Sequence, residues 1–124
     1  MTILRMQDLD LNNKRVLIRE DLNVPIKNGV IANDTRIAAA VPSITLARNS
    51  GAKVIIMSHL GRPSEGKPIG AQEDASLAPV AVHLATLLGC KVRLCQDYID
   101  APGNAQPQGD EVVLLENVRV NLGE

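Results

Sequence analysis

Aromatic residues are almost missing from this chain: there is no Phe and no Trp, and Tyr98 stands alone. Any core is therefore almost wholly aliphatic. A charge excess is missing too, because the 13 Lys and Arg residues nearly cancel the 14 Asp and Glu residues. No global field draws nucleic acid or an acidic membrane, so neither is expected as a partner, and an anion must be held by a local cluster. No stretch approaches the roughly 20 apolar residues of a membrane span, and the first residues lack the long apolar core of a signal peptide. Cysteine is scarce. Cys90 and Cys95 flank a strand candidate, make no disulfide framework, and have no His or Cys neighbour at metal-ligand spacing. Two free thiols in a reducing, cytoplasmic setting are expected. The Asn33-Asp34-Thr35 sequon then has no role, since cytosolic proteins are not N-glycosylated.

What is present fits one domain. A chain of 124 residues, 45% hydrophobic and 22% charged, has the balance of a soluble globular protein. Lys14-Arg15-Val16-Leu17-Ile18-Arg19 reads as a strand whose unbroken apolar centre suits a buried parallel position. Asn28-Gly29, between short apolar pairs, marks a hairpin beside the main sheet. Asn33 or Asp34 caps a helix, with Ile37, Ala40, Val41, Ile44 and Ala47 on one apolar face and Gly51 as its stop. Pro42 lies inside that helix, where a kink is expected rather than two helices. Lys53-Val54-Ile55-Ile56-Met57-Ser58 is the second strand.

Residues 59–75 form a long loop rich in Gly, Pro and charge, and such loops are more often functional than incidental. Ser76 caps the next helix, and Pro79 sits in its first turn. Leu77, Val80, Ala81, Leu84, Leu87 and Leu88 form its stripe, and Gly89 ends it. Lys91-Val92-Arg93-Leu94 alternates as an edge strand does. In the polar stretch 96–110, Tyr98-Ile99 can pin the segment to the body. Glu111-Val112-Val113-Leu114-Leu115-Glu116 is the fourth main strand. Strand, helix, strand, helix, strand, strand implies an α/β fold: an open, doubly wound parallel sheet of Rossmann-like, three-layer type with right-handed crossovers.

In such sheets ligands bind outside the carboxyl ends of the strands. The unusual residues fall there. Asp21 and Asn23 follow the first strand, His59, Leu60, Gly61 and Arg62 the second, and Arg119 the fourth; Arg36 lies in the first turn of the first helix. Guanidinium groups grip phosphate and carboxylate as a fork, and helix starts add free N–H donors. The pattern points to a small phosphorylated or carboxylate metabolite, although a single surface arginine is ordinarily just solvated. Asp21 and Asn23, on alternate positions, either hydrogen-bond ligand hydroxyls or close an Asx-type turn on their own backbone; spacing leaves both open.

Residues 61–67 have the G-x-x-x-x-G-K spacing of a P-loop. Pro68 stands where a Ser or Thr hydroxyl must hold magnesium, Pro63 removes a backbone donor, and Pro68 and Gly70 oppose the helix that must start there. The P-loop reading is therefore not adopted. His83, Glu73 and Asp74 read as structural or solvated. No paired carboxylates or nucleophile elbow appear.

Four blocks together resemble the phosphoglycerate kinase family: Arg15-Val16-Leu17-Ile18-Arg19-Glu20-Asp21-Leu22-Asn23-Val24-Pro25, Asp34-Thr35-Arg36-Ile37, Ser58-His59-Leu60-Gly61-Arg62-Pro63, and Leu114-Leu115-Glu116-Asn117-Val118-Arg119. They occur in the family's order and cover nearly the whole chain. The resemblance implies a two-domain glycolytic enzyme with a hinge. Its amino-terminal domain binds 3-phosphoglycerate or 1,3-bisphosphoglycerate, and its carboxyl-terminal domain binds Mg2+ with ADP or ATP. It also implies roles here. Asp21, Leu22 and Asn23 would meet the glycerate end. His59, Arg62 and Arg119 would grip the phosphate that is not transferred. Leu60 and Gly61 would line the pocket by their backbone, and Arg36 would lie nearest the transferring phosphoryl group as the catalytic residue. No general base is needed, because the attacking group is already a carboxylate.

Val120 and Leu122 depart from the family's usual Phe and polar residue, as packing variants. Length departs further, since the family's enzyme is much longer. The expectation is an incomplete amino-terminal domain, residues 1–124, without its nucleotide-binding half, inactive alone and prone to self-association through an unpaired sheet edge; the full enzyme is expected to be a monomer. The alternative is a stand-alone α/β module that captures an anionic metabolite without catalysis, favoured if the reading frame stops after Glu124.

Overall fold

The apolar runs become strands that align side by side, all in one direction. The computed structural model describes residues 10–27, 30–61, 63–66, 69, 72, 75–99, 101–109 and 111–121. Strand β1 (Arg15–Arg19) leads to a short antiparallel ribbon of β2 (Ile26–Lys27) and β3 (Val30–Ile31). Ile26 pairs with Ile31 and Lys27 with Val30, so residues 28 and 29 connect them; the Asn28-Gly29 turn itself lies outside the described residues. Helix α1 (Thr35–Asn49), β4 (Lys53–Met57), α2 (Ala78–Leu88), β5 (Val92–Cys95) and β6 (Val112–Leu115) follow.

The main sheet runs β1-β4-β6-β5 and is parallel throughout. β4 and β6 occupy the centre, and all four side chains of β6 are buried. β1 lies at an edge, against the expectation of a strand buried on both faces. Its residues alternate exposed and half-buried, and Leu17 is 58% exposed. An apolar run shows that a strand is preferred, not how many neighbours cover it.

Both helices pack on one face. Ile37, Ala40, Ile44 and Ala47 of α1 and Val80, Ala81 and Leu84 of α2 close over Val54, Ile56, Val112 and Leu114. Leu87 was expected in this stripe, but it is 40% exposed. The opposite face buries Cys95, Val113 and Leu115, with Tyr98 and Ala105 packed against them. The chain order accounts for this. From β1 through β4 to β5 the chain advances across the sheet, then reverses to reach β6, and a right-handed crossover run in reverse lies on the other face. Tyr98 pins that return segment, whereas Ile99 is 64% exposed.

Pro42 stands inside α1, which runs on as one helix. Asn33 Oδ1 accepts from the Thr35 N–H (2.9 Å), so it caps α1 in practice. Asp34 occupies the cap position without a side-chain cap bond and reaches His83 Nε2 instead, at 2.8 Å. Gly89 takes the left-handed conformation that closes α2, at φ 68°. Both cysteines are free. Among the described residues, no helix is long and apolar enough to cross a membrane.

Candidate functional site

A parallel sheet delivers every strand's exit to one rim, and the side chains expected to bind leave from three of those exits. The first exit is that of β1. Leu22 is fully buried, which anchors the turn and leaves Asp21 exposed and Asn23 half-buried on either side. Its N–H donates to Ser58 Oγ (3.0 Å). The Leu22 side chain is thus a core contact, not a surface for a ligand; it positions its two neighbours. Asp21 Oδ1 accepts from the Asn23 N–H at 3.2 Å, so the Asx-type turn exists. The carboxylate also meets Arg36 Nη1 at 3.4 Å, with the side chains 61% and 53% exposed. A pair that open contributes about 0–1 kcal/mol. It orients rather than locks.

Asn23 joins the elements. Its carbonyl accepts from Arg36 Nη1 at 2.6 Å, and its Oδ1 accepts from the Gly61 N–H at 3.0 Å. One residue thereby ties the exit of β1 to the start of α1 and to the exit of β4. Arg36 makes both of these contacts through Nη1; among the described residues Nε and Nη2 make none. Asn23, Val24, Pro25, Ile26, Leu60 and Gly61 line a cavity of about 370 Å³. Gly61 adopts φ 61° there, a conformation that suits a residue without Cβ.

The third exit is that of β6. Arg119 lies exposed in a 3₁₀ turn, Val118–Val120. The turn is bound to the β4 exit through the Val118 N–H, which donates to the Ser58 carbonyl at 3.1 Å. His59 is half-buried at the same exit. Arg62 lies outside the described residues. Burial raises the Glu20 carboxyl above its ordinary 4.5.

The phosphoglycerate kinase family model matches residues 6–124. The chain belongs to that family. It superposes on the phosphoglycerate kinase from Coxiella burnetii with a TM-score of 0.85 and 50% identity, covering 99% of this chain and 30% of that one. The enzyme from Pyrococcus horikoshii OT3 gives 0.78 and 34%, over 94% of this chain and 28% of that one. The chain therefore spans less than a third of the length of either protein.

The P-loop spacing fails in three dimensions as well. The Gly61 N–H goes to Asn23, the Ser64 N–H to Gln72 Oε1 (2.6 Å), and the Gly66 N–H to the Val120 carbonyl (2.7 Å). Pro63 has none. These three donors are spent inside the protein rather than on a phosphate, and α2 begins only at Ala78. Lys67 and Pro68 lie outside the described residues. This loop does not fit a nucleotide.

Sequence reasoning placed three buried polar residues in the family's blocks but gave them no role. Ser58, Glu116 and Asn117 are at most 1% exposed. Glu116 accepts from Ser76 Oγ (2.7 Å) and from the Leu77 N–H (2.6 Å). Ser76 Oγ accepts in turn from the Ala78 N–H at 3.1 Å. The start of α2 is thus held by the carboxylate that directly follows β6 as well as by the expected serine. The signal was visible: a polar residue directly after a fully apolar strand either faces a ligand or caps something.

Proposed function

We propose that this chain forms the glycerate-binding part of a phosphoglycerate kinase, an enzyme that moves a phosphoryl group reversibly between 1,3-bisphosphoglycerate and ADP to give 3-phosphoglycerate and ATP. The Asn23 bridge carries this reading. It ties a cation, Arg36, to the amide and the glycine backbone that line one cavity, the groups a small anionic acid with a hydroxyl group requires. Asp21 and Asn23 receive the hydroxyl and carboxylate end. Arg119, His59 and Arg62 hold the phosphate that stays. Arg36 is the catalytic residue, its guanidinium stabilising charge on the group in transfer.

Phosphoryl transfer asks the protein for position and charge neutralisation, not for a base. Leu60 and Gly61 supply backbone, and Leu22 holds the turn from beneath. Mg2+ with ADP or ATP is assigned to the part of such an enzyme that lies outside this match, so the chain alone performs half the task and turns nothing over. We place the enzyme in the cytoplasm, as a monomer, with neither nucleic acid nor membrane as a partner.

The test is an NMR titration of the chain with 3-phosphoglycerate. Saturable shifts at Asn23, Gly61 and Arg119 are expected, stronger than those from equal sulfate. Shifts scattered over the surface, or none at the rim, would remove the reading.

A further inference from the structure

Asn117 makes no contact with the cavity, yet it joins the segments around it. The residue is fully buried. Its Nδ2 donates to the Leu60 carbonyl at 2.7 Å and to the Ala75 carbonyl at 2.8 Å. Its Oδ1 accepts from the Arg119 N–H at 3.2 Å, and its own N–H goes to Glu116 Oε1 at 3.0 Å. One side chain thus fastens the exit of β4, the approach to α2 and the turn that carries Arg119. Leu60 leads directly to Gly61, Gly61 to Asn23 Oδ1, and Asn23 to Arg36. The two ends of the site are connected through this amide.

The chemistry demanded is narrow. Two donors and one acceptor must lie in one small planar group, which is the inventory of asparagine. Aspartate offers no donor and adds a second carboxylate beside the buried Glu116. Alanine leaves the buried Leu60 carbonyl and the half-buried Ala75 carbonyl without this partner, the costly case. Leucine would fit by volume and restore nothing. Glu116 serves a different end, since its other bonds run to Ser76, Leu77 and Gln96 and hold the start of α2.

We infer that Asn117 is a positioning residue of the glycerate site, setting the distance between the Leu60–Gly61 backbone and Arg119 without touching the ligand. This rests on the function proposed above.

The experiment uses the chain itself and NMR. In the unmodified chain the two Asn117 side-chain amide protons should exchange slowly with solvent; exchange at the rate of an exposed asparagine overturns the inference without any variant. Asn117→Ala and Asn117→Asp are then compared with Val113→Ala, which opens the core on the far side of the sheet. At a temperature where each spectrum stays dispersed, both Asn117 variants should displace the Gly61 and Arg119 amide signals. They should also weaken 3-phosphoglycerate binding about tenfold or more. Val113→Ala should lower the melting temperature and leave binding unchanged. Folded Asn117 variants that bind as the original chain does, or an equal loss in Val113→Ala, overturn the inference. If the unmodified chain does not bind 3-phosphoglycerate, the proposed function fails. The Gly61 and Arg119 signals then decide alone, and no displacement in the variants overturns the inference.

Discussion

Asn23 shows how one residue can serve two demands with separate atoms. Its backbone carbonyl restrains Arg36 and its side-chain oxygen restrains Gly61, while Nδ2 makes no bond among the described residues. Asn23→Ala keeps the carbonyl and removes the amide. The expected result is a loss of about 1.5–3 kcal/mol in 3-phosphoglycerate binding, the worth of one hydrogen bond to a charged group. The Gly61 amide signal should move, and the melting temperature should change little; calorimetric titration with thermal unfolding checks both. Unaltered affinity would show that Asn23 is only scaffold. Of the two sequence readings of Asp21, the Asx-type turn is present: its Oδ1 closes the turn and also meets Arg36. Spacing could not choose between the turn and a ligand contact, since both need the same carboxylate in the same place.

At the scale of elements, the long return from β5 to β6 depends on Glu111. Its side chain is only 4% exposed and pairs with Arg93 Nε at 2.9 Å, with Lys91 Nζ at 3.7 Å. The Gln108 N–H also donates to it, and Arg93 reaches on to the carbonyls of Asn104 and Gln106. Burial would raise this carboxyl, but the Gln108 hydrogen bond and the Arg93 and Lys91 charges outweigh it and hold it below the ordinary 4.5. A carboxyl depressed by folding binds its proton less tightly in the folded state. Its stabilisation is complete above 4.5 and is lost as the pH falls through the lower folded value. The urea midpoint should therefore drop as the pH is lowered below 4.5. Glu111→Gln should flatten that part of the curve and cost about 1–3 kcal/mol at neutral pH. A variant with the same acid slope as the original would refute the assignment. The helices were legible to within a few residues, because their caps and stripes are local. Leu87 was misplaced because the stripe was read as wider than the groove it fills.

For the molecule as a whole, β1 is the exposed side of the design. Leu17 stands 58% exposed on its open face, and the outer edge of β1 pairs with no strand among the described residues. Arg15 and Arg19 flank Leu17 on that face, and charged residues at an edge discourage pairing. Weak association is the expected balance. Sedimentation should show it growing with concentration, and Leu17→Lys should abolish it; a monomer at every concentration would contradict this. The rim shares the same logic of position. Four parallel strands bring their exits together, so residues far apart in sequence become neighbours once the sheet forms.

The order of residues alone determined which segments become strands and helices, where they stop, and which polar side chains leave from strand exits. These are properties of nearest neighbours and of period. The tertiary structure decided that β6 slots between β4 and β5, that β1 is left at the sheet's edge, and that Asn117 turns inward to join Leu60, Ala75 and Arg119. Such choices depend on which faces find cover and which buried donors find acceptors, and both are settled only when distant segments meet.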